Sequence, residues 1–421
     1  MKTLIIGNGA REHAIAWKLS QSVLVTELVV APGNAGTAQV ADNIPIAATD
    51  IEGLLDYVND NDVDFTVVGP EVPLSNGIVD QFQSAGHLIF GPSQAAARIE
   101  SSKVFAKELM LADSIPTGEA ATFYTYKESR AHVETCPIPV VIKADGLASG
   151  KGVIVAETRE DALVAVRDVV KARLFGNAGD SVLIEEFLQG QEVSVFAFVD
   201  GEHVSAMAAA CDYKRVGDGD IGPNTGGMGS FSPPRPEHWN SAIETRVRDE
   251  IMEPVAKAMV RMGCPYSGVL YLGLILTSDG PKVIEFNCRL GDPETQVVLP
   301  RLKTDLAEIM LATAKGKLSE LDVVWGNEAH VGVVVASEGY PGYCKTGYAI
   351  QGLDDMDHGV TIFQAGTAIA DDGRVVTDGG RVLTATAQGK SLADARRKVY
   401  DNVSRIKFQG SFYRTDISAK I

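Results

Sequence analysis

A chain of 421 residues exceeds what one compact core accommodates, so two to four domains are expected. Its formal net charge of −17 repels nucleic-acid backbones and no Lys/Arg-rich run offsets it, which excludes nucleic acid as a partner; small anionic ligands stay admissible, because local cations and backbone N–H groups reverse the field inside a cleft. No stretch approaches 18 consecutive apolar residues, the N-terminal apolar run is too short for a signal-peptide core, and five scattered cysteines without C-x-x-C spacing suggest neither disulfides nor zinc, so a cytoplasmic protein with no membrane contact is expected.

The first hundred residues alternate strand and helix signals. A β-rich run over 2–6 and helical spacing over 11–20 are followed by strands at 27–30, 65–68 and 87–90, each ending in a turn: GNGA, APGNAG, GPE, GPS. This predicts an α/β beginning, a parallel sheet wound with helices, whose ligands sit beyond the carboxyl ends of the strands. After about residue 101 the texture changes to a helix at 102–112, a turn at Pro116, strands at 139–143 and 153–156 joined by a glycine-rich loop, and a helix at 159–172. Strands at 182–186 and 192–199, a helix at 246–262 and an antiparallel pair, 268–277 with 281–287 across Ser278-Asp279-Gly280, come next. From about residue 326 short strands, including 330–336 and 381–386, precede a helix at 391–405, so the later regions are α+β in character.

The first glycine loop, Gly7-Asn8-Gly9-Ala10-Arg11-Glu12, nearly fits the dinucleotide fingerprint, but Glu12 replaces the third glycine. A carboxylate in the first helical turn opposes a pyrophosphate; a single phosphate clamped by Arg11 fits better, and so does a tight turn with no ligand. The second loop, from Lys143 through Ser149, Gly150, Lys151 and Gly152, lacks Walker A spacing and lies between two strands. It suits a lid whose N–H groups fold over phosphates, with Lys143 as a point charge at the strand end. The run from Val182 ends in Glu185 and Glu186; the segment after it can present backbone to an adenine edge, and Glu192 can take ribose hydroxyls.

In Val283-Ile284-Glu285-Phe286-Asn287, strand alternation puts Glu285 and Asn287 on one face, a platform for Mg2+ shared with triphosphate oxygens; an exposed polar face has the same spacing. Asp292-Pro293-Glu294 then reads as a helix N-cap with proline in the first turn, a natural seat for a carboxylate or a developing phosphoanhydride. Loops 212–218 and 223–229 add cations and glycines suited to anionic or sugar ligands.

Taken in order, GNGAREHAIAW, APGNAGT, VGPEVPL, FGPS, IKADGLASGKGV, IEEFL, KRVGDGDIGPNTGGMG, VIEFNCRLGDPETQ, GYPG and GGRVL make the chain resemble the glycinamide ribonucleotide synthetase family along nearly its whole length. The resemblance implies a Rossmann-like N-terminal domain over 1–101, an ATP-grasp domain over 102–325 with a mobile lid subdomain at about 118–190, and a small mixed C-terminal domain over 326–421. It implies ATP-dependent joining of glycine to 5-phosphoribosylamine through a glycyl phosphate, with ATP and Mg2+ or Mn2+ as cofactors and a monomer as the working form. ATP is expected at Lys103, Lys143, Ser149, Gly150, Lys151, Gly152, Glu185, Glu186, Leu188 and Glu192, and the metal at Glu285 and Asn287. Arg289, Gly291 and Asp292 fall near glycine, and Gly9, Arg11, Glu71, Asp212, Lys214, Asn224 and Thr225 near the ribosylamine; Lys143, Arg289 and Asp292 are the expected catalytic residues. The family's usual His before Lys214 is Tyr213 here. The alternatives are another ATP-grasp carboxylate–amine ligase, an NAD-dependent oxidoreductase and a nucleotide-sensing protein without turnover.

Overall fold

The computed structural model describes residues 1–147, 152–174 and 176–419. Apolar runs near the N-terminus pair in parallel, in the order Asp42–Asn43, Glu27–Pro32, Lys2–Gly7, Phe65–Val68, Ile89–Phe90. Apart from the exposed Asp42–Asn43 edge, they are largely buried because helices cover the sheet, which is why they read as continuous hydrophobic stretches. The Asp42–Asn43 edge was not expected; its two polar residues have no strand propensity and are strand only by pairing with Val29 and Val30. Lys2–Gly7 lies in the middle, with Glu27–Pro32 on one side and Phe65–Val68 on the other, so the loops after Gly7 and after Val68 open at a topological switch point.

The largest sheet has nine strands and is antiparallel. Along its path lie Gly280–Asn287, Ser267–Thr277, Gln191–Asp200, Ala208–Asp212, Gly229–Ser232, Ala329–Ala336, Arg381–Gly389 and Val360–Gln364, with His203–Val204 paired off it. It runs without a break from the middle of the chain into its last third, joined where Gly229–Ser232 pairs with Ala329–Ala336. The turn before Gly280–Asn287 is tighter than expected, because Thr277 and Gly280 already pair and only Ser278 and Asp279 remain outside.

A separate four-stranded antiparallel sheet is ordered Ala120–Phe123, Val182–Glu186, Val140–Ala144, Val153–Ala156. Helices Tyr126–Val133 and Arg159–Val166 close one face and give it its own core around Ile142, Ala162, Val166 and Ile184. Among the described residues no helix is long and apolar enough to cross a membrane.

The first helix, Ala10–Leu19, packs Ala10, Ala14 and Trp17 on Phe363 at the end of Val360–Gln364. Beside them His13 stands edge-on to Phe363 at 5.7 Å and accepts the Gln364 N–H at Nδ1, 2.9 Å. Burial pushes the His13 pKa down to about 4. The unfolded chain takes up this proton from about pH 6.5 downward and the native chain only near pH 4. Stability therefore falls as pH drops through that window, by about 3 kcal/mol in all from this residue, with no further loss below it. We expect His13→Asn, which keeps an acceptor for Gln364, to narrow the stability difference between pH 7 and pH 5 by about 2 kcal/mol in urea unfolding; an unchanged difference would assign the acid lability elsewhere.

Candidate active site

One strand and its continuation run past every polar cluster of the site. Gly280–Asn287 carries a β-bulge: Gly273 pairs with Glu285 and Leu274 with Val283, leaving Ile284 as the extra residue. The Ile284 carbonyl so released accepts a hydrogen bond from Lys143 Nζ at 2.6 Å. The hairpin strand and the Glu285 strand therefore meet directly. Lys143 is 6% exposed, and its ammonium also pairs with Glu185.

Glu185 is shared with Lys107, at 2.9 Å, which further donates to Thr117 Oγ1 at 2.7 Å and Gly118 O at 3.0 Å. Lys107 was not anticipated. A signal existed: a lysine among Val104, Phe105, Ala106 and Met110 on the buried side of helix Lys103–Ala112. At the start of that helix, Lys103 donates to Gly146 O at 2.8 Å, and Asp145 accepts the Val104 N–H at 3.2 Å. Thus the described part of the glycine-rich loop leans on the helix N-terminus. Ser149, Gly150 and Lys151 lie outside the described residues; Gly152 closes the hairpin by accepting the Ala144 N–H at 2.8 Å. Glu186 is exposed and accepts the Glu119 N–H at 3.2 Å, while Leu188 is buried.

Glu285 and Asn287 share a face, and Phe286 turns to the core. Gly273 opposite gives Glu285 room: a Cβ there would lie 2.7 Å from Glu285 Cγ. Burial raises the Glu285 pKa, but Lys214, Lys143 and Lys103 outweigh it and hold the carboxyl below its ordinary range. Lys214 Nζ sits 2.8 Å from Glu192 Oε2 and 3.6 Å from Glu285 Oε1, tying the expected ribose carboxylate to the expected metal carboxylate. Asp212, two residues earlier, is pushed up to about 7 by burial, with Lys214 opposing. Among the described residues no three His, Cys, Asp or Glu gather into an all-protein metal cage.

Beyond the strand, Arg289 lies between Glu71, 3.1 Å, and Glu100, 2.9 Å. Glu100 also accepts the Cys288 N–H at 2.7 Å. Burial lowers the Arg289 pKa, but Glu100 and Glu71 more than compensate; the same arginine, with Arg11, brings Glu71 down to about 2 against its own burial. Glu100 was missed, although a carboxylate beside Ala96, Ala97 and Ile99 on the buried face of Gln94–Ser101 is a visible anomaly.

The expected N-cap at Asp292 is not formed. The Asp292–Pro293 peptide is cis and the short helix begins only at Thr295. The Asp292 carboxylate has other partners: the Arg11 N–H at 3.3 Å, Gln296 Nε2 at 2.9 Å and Arg381 Nη1 at 3.2 Å. Arg381, unanticipated, also donates to the carbonyls of Asp292, at 2.8 Å, and of Gly226, so the last third of the chain enters the site. Gly291 O accepts the Thr295 N–H at 3.2 Å. Thr225 donates its N–H and hydroxyl to Lys214 O, at 2.7 and 2.8 Å, and Asn224 is exposed beside it.

In the first glycine loop, Glu12 turns back to accept the Gly9 N–H at 2.7 Å. It fills the space over Gly69, where a Cβ would meet Glu12 Oε1 at 2.2 Å. A carboxylate on that N–H takes the place a dinucleotide pyrophosphate needs, which counts against an NAD enzyme. Arg11 is buried and turned to Glu12 and Leu290 O.

Comparison with known proteins fits this geometry. Profiles of phosphoribosylglycinamide synthetase match in order: the N domain over residues 1–100, the ATP-grasp (A) domain over 101–295 and the C domain over 330–420. Phosphoribosylamine–glycine ligase of Escherichia coli (strain K12) is 49% identical over 421 residues, 99% of this chain and 98% of that protein. The ligase of Halalkalibacterium halodurans is 48% identical over 420 residues, 100% of this chain and 97% of that protein. The crystal structure of phosphoribosylamine–glycine ligase from Thermotoga maritima superposes with a TM-score of 0.85 at 34% identity, covering 99% of this chain and 100% of that one. The biotin carboxylase domain of the Hydrogenobacter thermophilus 2-oxoglutarate carboxylase, at 15% identity and a TM-score of 0.75, covering 98% of this chain and 91% of that one, shares the fold. Matched over nearly its whole length and carrying its charged groups along one bulged strand, the chain belongs to the phosphoribosylglycinamide synthetase family.

Proposed function

We propose that the protein joins glycine to 5-phosphoribosylamine, using ATP and giving glycinamide ribonucleotide, ADP and phosphate, in de novo purine synthesis. The observation that carries this reading is the 2.6 Å contact of Lys143 with Ile284 O, which puts the phosphate-type hairpin and the Glu285 strand at one site.

The chemistry sets the task. A carboxylate is a poor acyl donor because oxide is a poor leaving group, so the γ-phosphoryl of ATP is moved to glycine. The glycyl phosphate is then attacked by the amine, and phosphate leaves. Two of the three Lys143 N–H groups face Ile284 O and Glu185; the third is left for a phosphate oxygen, and Lys103 adds charge nearby. Arg289, fixed between Glu71 and Glu100, is placed for the glycine carboxylate. Glu186 and Leu188 flank the base, and Glu192 lies within reach of ribose hydroxyls. Lys214, Asn224 and Thr225 form the near side of the phosphoribosylamine subsite. The small sheet acts as a lid that keeps water from the acyl phosphate.

Glu285 and Asn287 fit Mg2+ or Mn2+: they are hard oxygen donors on one face, and the carboxyl is held ionised by neighbouring lysines. Bound there, the ion neutralises charge on the transferring phosphoryl group. The substrates are small and soluble, and a cytoplasmic monomer suffices for the whole reaction.

Glycine labelled with 18O in its carboxylate tests this directly. One labelled oxygen is expected in the phosphate released when ATP, glycine and phosphoribosylamine are all present. Unlabelled phosphate would remove the acyl phosphate route, and equal phosphate release with a different amine would point to another ATP-grasp ligase.

A further inference from the structure

We propose that Arg414 is a positioning residue for the amine substrate, through which the end of the chain sets the pose of the hairpin bearing Lys214, Asn224 and Thr225. The proposal rests on the reading above that these three residues serve phosphoribosylamine.

Strands Arg215–Gly217 and Ile221–Asn224 form this hairpin, and the Thr225–Lys214 hydrogen bonds close its base. Residues 218–224 are exposed, and an isolated two-stranded hairpin is marginally stable. Its shape is imposed from outside. Arg414 is 1% exposed. Its Nη1 donates to Asp220 Oδ1 at 2.8 Å and to Arg215 O at 2.9 Å. Its Nε and Nη2 grip the two oxygens of Asp416 at 2.7 and 2.6 Å, and the guanidinium lies 4.8 Å from the Tyr213 ring centroid. Around it Thr415 donates its N–H to Asp218 at 2.8 Å, Asp416 accepts the Gly219 N–H at 2.8 Å, and the Ser418 N–H reaches the Tyr213 hydroxyl at 2.8 Å.

The tail that supplies these contacts is itself anchored. Phe412 exchanges backbone hydrogen bonds with Ala336 at 2.9 and 3.0 Å. From helix Leu392–Val403, Tyr400 donates to Arg414 O at 2.7 Å and Arg396 to Thr415 O at 2.7 Å. A guanidinium whose donors are divided between two segments about 200 residues apart fixes them in register, which a flexible point charge does not do. Of the groups placed near ATP, Lys143 and Glu186 lie on the small sheet, Leu188 just beyond it and Lys103 at the start of helix Lys103–Ala112, while Glu192, which pairs with Lys214 at 2.8 Å, is held by strand Gln191–Asp200 through its pairing with Ser267–Thr277; these elements take their places without the tail.

Steady-state kinetics test the assignment, with phosphoribosylamine generated in place from ribose 5-phosphate and ammonia. Arg414→Met is expected to raise the KM for phosphoribosylamine about 10-fold or more while the KM values for ATP and glycine stay within about 2-fold; Arg414→Lys should fall between it and the wild type. Should Arg414→Met not fold, Asp218→Ala combined with Asp220→Gly, the glycine suiting the φ of 57° at that position, removes the exposed side-chain partners on the hairpin, leaves the Arg414–Asp416 pair, and must give the same selective rise. Three KM values rising together, or an unchanged phosphoribosylamine KM, overturn the proposal. A wild-type enzyme that does not use phosphoribosylamine overturns the functional reading beneath it, a result separable because it appears before any substitution is made.

Discussion

Lys143→Ala is expected to slow ATP-dependent phosphate release by about 1,000-fold or more, with little change in fold. A buried, preoriented cation at a transferring phosphoryl group supplies about 3–4 kcal/mol of transition-state stabilisation, because it acts in a dry site and needs no reorganisation. Lys143 meets those terms: it is 6% exposed and held between Ile284 O and Glu185. The substitution does not strand Glu185, which keeps Lys107 at 2.9 Å. The melting temperature should therefore shift by only a few degrees while turnover collapses. Turnover within about 3-fold of wild type, with the fold intact, would take Lys143 out of the chemistry.

Glu285→Gln should be comparably damaging, with a second signature. The substitution keeps the shape that Gly273 accommodates but removes the charge that a divalent ion needs. Turnover is expected to fall about 1,000-fold, and Mn2+ affinity of the enzyme–ADP complex, followed by water-proton relaxation, by about 10–100-fold. Lys214 keeps its partner Glu192 at 2.8 Å, so loss of activity through unfolding is not expected. Undiminished Mn2+ binding would move the metal to other residues, and unchanged turnover would contradict both assignments.

The legible parts of the site were those in which a local pattern carries the geometry. Period-two alternation sufficed to put Glu285 and Asn287 on one face, and a carboxylate in place of the third glycine sufficed to doubt a dinucleotide at Gly9. The bulge at Ile284 was not legible, because it depends on register with Gly273 across the sheet. Asp292-Pro293-Glu294 misled for a related reason. Its composition matches a helix start, yet Arg381 and Gln296 draw the Asp292 carboxylate elsewhere, and tertiary partners outweigh a local preference worth about 1 kcal/mol. Lys107 and Glu100 were flagged only by being charged on otherwise apolar helix faces. Arg381 and Arg414 carried no such flag: Arg381 reaches Asp292, and Arg414 reaches Arg215 and Asp220, across more than 80 residues of intervening chain, and pairing over such distances leaves no trace in spacing.

The unbroken nine-stranded sheet limits how this protein can be divided, by experimenters or by recombination. A fragment ending near residue 325 would expose Gly229–Ser232 as a raw edge and lose the strand that covers it, inviting strand-to-strand aggregation. A hybrid that borrowed its last hundred residues from a relative would have to match Ala329–Ala336 to Gly229–Ser232 on one side and to its own Arg381–Gly389 on the other. Exchange of the tail is thus exchange of part of the scaffold beneath the site, and successful chimeras should have their junctions within loops that leave this seam intact.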